Sequence, residues 1–389
     1  MASPPHLIGW AHTAFGKHAD VDLESLMAEV STQAITDAGL ETTDIDAVSV
    51  GVYNNGFSRQ GFEAALVGAG EPQLASIPAT RSENACATGA AALVAAIEKI
   101  EAGRARAVLV VGAERMTATP GPEIHDILLS SAHRRTEESA GSFAGIFAQL
   151  ADLYAETFSD PREAMARIAA KNHRNAVDNP WAHLRRPLDR EFCATESHAN
   201  PSVVGRLLRT DCSLVSDGAA AVVVASADVA RRARRAVRFR GRAQANDHLA
   251  LARRSDPLEF AGAGAAFHGA LAEARVSVGG LDLIETHDCF TIAELLQYEA
   301  FGIAPRGRAG TALADGLTDR DGPLPVNPSG GLKAKGHPIG ATGVSQHVMA
   351  SLQLTGEAGA MQIADAGVAA VFTMGGSAVT NYASVLEAV

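Results

Sequence analysis

Two cysteines and two histidines stand where thiol and acid–base chemistry could be done. Cys86 lies in SENACATGAAAL, at or just before the start of an alanine-rich helix and among small residues. A helix N-terminus stabilises negative charge and can lower a thiol pKa, so a nucleophilic thiolate is one reading; a small buried apolar residue is the other. His337 sits between Gly336 and Pro338 in NPSGGLKAKGHPIGATG. There a ring can be held in one orientation while glycines admit a ligand closely, or it is a loop histidine bonded to nearby backbone. His287, Asp288 and Cys289 fall in THDCF at the end of a predicted strand, where open α/β sheets collect their ligand chemistry. They are an acid–base cluster or a polar strand end. FTMGGSA supplies Gly375 and Gly376, whose N–H groups could approach a developing oxyanion or form an ordinary turn. As a set these residues suit acyl-thioester chemistry. Cys193 and Cys212 have no comparable setting and read as structural.

Such residues need elements to hold them, and the pattern supplies two similar halves. In the first, DLESLMAEVSTQAITDAGL has helical spacing with Gly39 as its stop, DIDAVSVGV is β-rich, CATGAAALVAAIEKIEAG is an apolar helix closed by Gly103, and ARAVLVVGAE reads as a buried strand. The second repeats the order: FHGALAEARVSVGG as helix, LDLIETHD as strand, IGATGVSQHVMASLQLTGEAG as helix, GVAAVFTMGGSA as buried strand. Ala87-Thr88-Gly89 and Ala341-Thr342-Gly343 open corresponding helices, which suggests a duplicated α/β unit. Between the halves, residues 116–209 are too long for a loop and carry amphipathic pieces, so an inserted helical subdomain is expected. ASADVARRARRAVRFRG is read as a solvated connector.

The chain has 389 residues and a formal net charge of -11, which speaks against nucleic acid or an anionic membrane surface as the main partner. Its four scattered cysteines make neither a disulfide framework nor a zinc-type CxxC pair. The start MASPPHLIGWAHTAFGKHAD has no basic, long apolar leader, so a cytoplasmic protein with no membrane span and no metal is expected.

The glycine-rich stretch around His337 resembles the C-terminal signature of the thiolase family. The resemblance extends to SENACATGAAAL, KNHRNAVDNP, DCSLVSDGAAAVVV and the final MGGSA, and HDCF is similar to the sterol-carrier-protein-x type of thiolase and its bacterial relatives. It implies the thiolase fold, two α/β halves in a five-layer α-β-α-β-α arrangement with a loop domain over the active site. The halves are placed at 1–115 with 210–230 and at 236–389, and the loop domain at 116–209. It further implies CoA-dependent cleavage of a 3-ketoacyl-CoA, or the reverse Claisen condensation. Cys86 would be the nucleophile, His337 its base and Cys289 the acid–base group at carbon. Here Thr373 stands where the family's usual second cysteine would be, with Cys289 taking its duty. His287 and His337 would serve the enolate oxygen, the N–H groups of Cys86 and Gly375 the acyl oxygen, while Asp288 would orient neighbours. Coenzyme A is the co-substrate and no cofactor is tightly bound. Arg134, Arg135, Arg174, Arg185 and Arg186, with Gly376, are candidates for substrate or CoA contact, though each arginine alone reads as solvated surface charge. Lys333 and Lys335 receive no catalytic role. A homodimer, or a tetramer built from it, is implied, and a small zinc-ribbon and OB-fold acyl-CoA-binding protein is a candidate partner. The alternatives are a retro-aldol lyase of the same fold and a non-catalytic acyl-CoA-binding subunit.

Overall fold

The structure is a computed structural model and describes residues 4–389. Its first half runs β1 (His6–His12), α1 (Leu23–Asp37), β2 (Ala47–Gly51), α2 (Glu63–Gly70), β3 (Ala79–Ser82), α3 (Thr88–Glu101) and β4 (Ala107–Glu114). An excursion follows through α4 (Gly121–Leu129), α5 (Arg134–Glu137), α6 (Phe143–Thr157), α7 (Arg162–Ala176), α8 (Arg190–Ala194) and the hairpin β5 (Ser202–Val204) with β6 (Leu207–Leu208). The chain returns in β7 (Gly218–Ala225) and leaves by α9 (Ala227–Ala230). The second half holds β8 (Val237–Asn246), α10 (Ala261–Ala274), β9 (Leu283–Glu285), α11 (Thr291–Ala300), α12 (Ala309–Ala314), α13 (Gly331–Lys335), α14 (Ile339–Leu354), β10 (Val368–Gly375) and β11 (Thr380–Ala388).

Strand order exposes the duplication. The sheet reads β3-β2-β4-β7-β1-β8-β11-β10-β9. Outward from its middle, each half has two antiparallel pairings followed by a parallel one: β1 on β7, β7 on β4 and β4 on β2, against β8 on β11, β11 on β10 and β10 on β9. Within the sheet the halves are joined where His6 and Leu7 pair with Arg238 and Val237. Period-two alternation then sorts the side chains. Val108 and Val110 of β4 join Ala92, Leu93, Val344 and Val348 of α3 and α14 in a central core, while Leu109 and Val111 face Met27, Val30 and Ala34 of α1. On the other side α10 packs over β8 and β11. Helix, sheet, paired helices, sheet and helix therefore stack in five layers.

Two elements differ from their sequence expectation. The helix expected over FHGALAEARVSVGG begins earlier, at Ala261, and stops at Ala274, where Arg275 turns left-handed with φ 55°. Of the expected solvated connector, VRFRG opens β8. Arg235 and Arg240 are paired rather than free: Arg235 lies 3.7 Å over the Trp10 ring and bridges Asp37 and Glu357, and Arg240 meets Glu387 at 3.2 Å. Alternation hid this strand because its polar face consists of arginines. No helix of the described residues is long and apolar enough to cross a membrane.

Candidate active site

The repeated Ala-Thr-Gly tripeptides mark where α3 and α14 meet. A Cβ added to Gly343 would lie 2.4 Å from the Ala90 nitrogen, and one added to Gly89 would lie 2.7 Å from the Gly340 carbonyl. Only hydrogen side chains let the two helix starts approach this closely. The glycines around His337 were expected to make room for a ligand, but protein fills that space. Gly331, at φ 58°, would put a Cβ 2.3 Å from an Asp288 oxygen, and Gly336 at φ 113° would meet Ser216.

This crossing brings together residues far apart in sequence. The Cys86 sulfur and nitrogens of His287 and His337 lie within 4.8 Å of one another. His287 and His337 pack edge to face with centroids 5.1 Å apart. One sulfur and two imidazole nitrogens are also zinc-type donors. Cys86 follows Ala85, a non-glycine residue held at φ 49°, in the turn before α3. Asn84 secures the turn, donating its side-chain amide to the Tyr382 hydroxyl at 2.9 Å and its backbone N–H to the Thr88 hydroxyl at 2.8 Å. Tyr53, Phe57, Met116, Ile124 and Ile339 surround the sulfur with apolar surface.

That surface reverses one expectation. Burial pushes the Cys86 thiol up to about 12, Glu114 and Glu83 add to the rise, and the donation from the Gly376 N–H only partly opposes them. Desolvation of the sulfur outweighs the dipole of a helix that begins two residues later. The resting residue is a thiol.

The partner for its proton is set by one hydroxyl. Thr342 donates its only proton to the Pro338 carbonyl at 2.9 Å and lies 2.6 Å from His337 Nδ1. With that proton assigned to Pro338, Nδ1 carries the hydrogen and donates it to Thr342, which leaves Nε2 with a free lone pair. That Nε2 is buried and has no hydrogen-bond partner. Burial, then Lys335, lowers His337 to about 3, so the ring is neutral. Both ring nitrogens of His287 are likewise buried and unpartnered, and burial followed by His337 holds its pKa well below the ordinary value. Cys289 is buried, and burial followed by the nearby Cys86 raises its thiol pKa.

A second layer fixes the loops. Asp288 accepts from Leu332 N–H at 2.6 Å, Lys333 N–H at 3.1 Å and Asn172 Nδ2 at 2.7 Å, tying the start of α13 to HDCF. Asn172 and Asn327 also donate to Glu294, which pairs with Lys171 at 2.6 Å. Asn175 and Asn179 hold the carbonyls of Asn327 and Ser329. KNHRNAVDN is thus the surface on which NPSGG is moulded. Glu114, at the end of β4, accepts from Tyr53 N–H and from Gly340 N–H at 3.0 Å, joining the halves; burial raises its pKa to about 7. Thr373 donates to Gln346 at 2.7 Å.

Sequence reasoning did not single out Thr342 or Glu114. The repeated tripeptide was a signal for the first; nothing local marks the second. Gly375 ends β10, and its close neighbour is the Asn84 carbonyl, 2.4 Å from an added Cβ, whereas the amide aimed at the Cys86 sulfur belongs to Gly376. Arg134 is engaged by Asp126 and Glu138, and Arg185 caps the Val177 carbonyl at 3.1 Å. Arg135, exposed, makes no side-chain bond among the described residues.

The N-terminal domain family of thiolases matches residues 6–188, and a thiolase C-terminal domain-like family matches residues 243–388. An acetyl-CoA acetyltransferase of Methanothermobacter thermautotrophicus is 36% identical over 95% of this chain and 96% of its own length. Human sterol carrier protein 2 is 31% identical over 95% of this chain and 69% of its own length. Among solved structures, one described as an Ltp2-ChsH2(DUF35) aldolase superposes with a TM-score of 0.84, covering 99% of this chain and 98% of that one at 22% identity, a likeness of fold.

Proposed function

We propose, since the chain belongs to the thiolase family, that it exchanges acyl groups between a 3-ketoacyl-CoA and coenzyme A through an acyl-Cys86 thioester. The carrying observation is the free Nε2 of His337 beside a buried thiol. With the thiol at about 12, making thiolate at pH 7 costs about 7 kcal/mol, so sulfur attack and proton transfer to Nε2 belong to one event.

In cleavage, the Cys86 sulfur bonds to the 3-keto carbon and its proton passes to His337. The bond between C2 and C3 then breaks, leaving the acyl group on sulfur and the electron pair on the departing acetyl-CoA enolate, or its substituted equivalent. Cys289 protonates C2. Coenzyme A next attacks the thioester, its thiol proton is taken up by the site, and the shortened acyl-CoA leaves with Cys86 restored. His287 and the protonated His337 are donors for the enolate oxygen; the backbone amides of Cys86 and Gly375 serve the acyl oxygen. Each such donor is worth ~3 kcal/mol in the transition state. These steps require no bound cofactor. In this reading residues 1–115 with 210–230, 116–209 and 236–389 act as first half, cover and second half of a cytoplasmic homodimer. The partner in the aldolase complex supports testing a small DUF35-type protein as an accessory.

Acid quenching after mixing with a 3-ketoacyl-CoA should leave an acyl mass on the Cys86 peptide, absent in Cys86→Ala. Ketone or aldehyde release without CoA consumption, and no adduct, would replace this reading with the lyase.

A further inference from the structure

Three lysines are buried, at positions 171, 333 and 335. Two have partners: Lys171 donates to Glu294 and to the Tyr298 hydroxyl at 2.7 Å, and Lys335 donates to Ser345 at 3.0 Å. Lys333 is 2% exposed, yet among the described residues its ammonium makes no hydrogen bond or ion pair; its one bond is the backbone N–H to Asp288. Neighbouring acids are already committed. Asp211 takes both arms of Arg162 at 2.7 Å, and Asp288 holds the start of α13. Burial pushes the Cys212 and Cys193 thiols up to about 12 and about 11, so neither supplies a counter-charge. An uncompensated buried ammonium costs several kcal/mol.

Lys333 lines a cavity of about 210 Å³ between α7, α8 and α13. Arg186 and Arg209 stand exposed on its rim with no side-chain partner among the described residues, and His173, nine-tenths buried and more, brings an Nδ1 that bonds to nothing. No carboxylate lines it, while Leu188 and Phe192 form apolar wall. We propose that this cavity binds a small organic carboxylate, its charged end on Lys333 and its short apolar tail against Leu188 and Phe192. It is separate from the Cys86 chemistry, although Leu214, another wall residue, accepts the His337 N–H at 3.3 Å. The occupant thus lies behind the loop that carries His337. At ~30 Å³ per displaced water the space suits an acid of butyrate size.

Calorimetric titration of the full chain with sodium butyrate, n-butanol and sodium phosphate tests this. Butyrate should bind, and its affinity should fall about tenfold or more in Lys333→Met; alkylating Cys86 beforehand should leave it unchanged. Should Lys333→Met not fold, the rim double variant Arg186→Ala/Arg209→Ala should weaken butyrate several-fold. Absence of butyrate binding, equal binding of butanol or phosphate, loss of binding on Cys86 alkylation, or unchanged affinity in the folded variants would each overturn the proposal.

Discussion

Replacing Thr342 by valine removes one hydroxyl and little volume, and should disable the proposed base without touching the nucleophile. In the structure that hydroxyl receives the His337 Nδ1 hydrogen at 2.6 Å and passes its own to Pro338. Without it the ring either buries an unsatisfied N–H, at about 1–3 kcal/mol, or moves its hydrogen to Nε2, where it can no longer take the thiol proton. At 1.36 kcal/mol per decade, that cost corresponds to a loss of about 5- to 150-fold in the acylation rate. Single-turnover formation of acyl-Cys86 measures it directly, and Thr342→Ser, which restores the hydroxyl, should recover most of the rate. The pH profile separates this effect from loosened packing. In the wild type, acylation draws on a neutral His337 at any pH well above about 3, whereas the variant, acylating through the minority of rings that keep the hydrogen on Nδ1, should run lower by that factor until free thiolate from a thiol at about 12 adds a rate that climbs about tenfold per pH unit in the alkaline range. Acylation of Thr342→Val at the wild-type rate and with the wild-type pH dependence would refute the tautomer argument.

Three further outcomes follow from the packing and charge. Gly343→Ala sets a Cβ 2.4 Å from the Ala90 nitrogen at the helix crossing, and the strain should cost ~1–3 kcal/mol in urea unfolding while lowering turnover more steeply, because the crossing positions Cys86 against His337. Lys171→Met leaves the Glu294 carboxylate buried without its 2.6 Å partner and should destabilise by about 3–5 kcal/mol, with Lys171→Met/Glu294→Gln regaining part of that; an unchanged urea midpoint in the single variant would count against the network. Acid should loosen the fold. Burial lowers His12, His173 and His337 to about 3 and His347 to about 4. The unfolded chain therefore binds more protons once pH falls below the ordinary 6.5, and the stability these histidines contribute above it is lost toward pH 3–4. Each costs ~2 kcal/mol at pH 5, while Glu114 and Asp288, raised by burial, return ~2 kcal/mol each. The histidines outnumber the raised acids, so a net loss of stability between pH 7 and pH 5 is expected, and a urea midpoint equal or higher at pH 5 would contradict it.

Much of the fold was legible because hydrophobic period and chain punctuation are local. Met27, Val30 and Ala34 announce α1, Gly39 at φ 69° and Gly103 at φ 67° end α1 and α3, and unbroken apolar runs mark β4 and β10 as strands buried on both faces. The repeated Ala-Thr-Gly carried the duplication. Residue type and motif likewise singled out Cys86, His287, Cys289 and His337. Electrostatic state could not be read this way. A helix start predicts a lowered thiol pKa, but whether solvent reaches the sulfur depends on Tyr53, Met116, Ile124 and Ile339, which are distant in sequence and assembled only by folding. The function of the glycines, as contact points between helices rather than openings for a ligand, required knowing what lies opposite each one. The free nitrogen of His337 depended on a hydroxyl five residues away whose own proton goes to a carbonyl four residues back, a geometry that one turn of α14 creates. The sequence by itself determined which side chains are available and which elements carry them. Protonation, tautomer and the unpaired charge of Lys333 were decided by the tertiary structure, since each depends on which groups, and how little water, surround it.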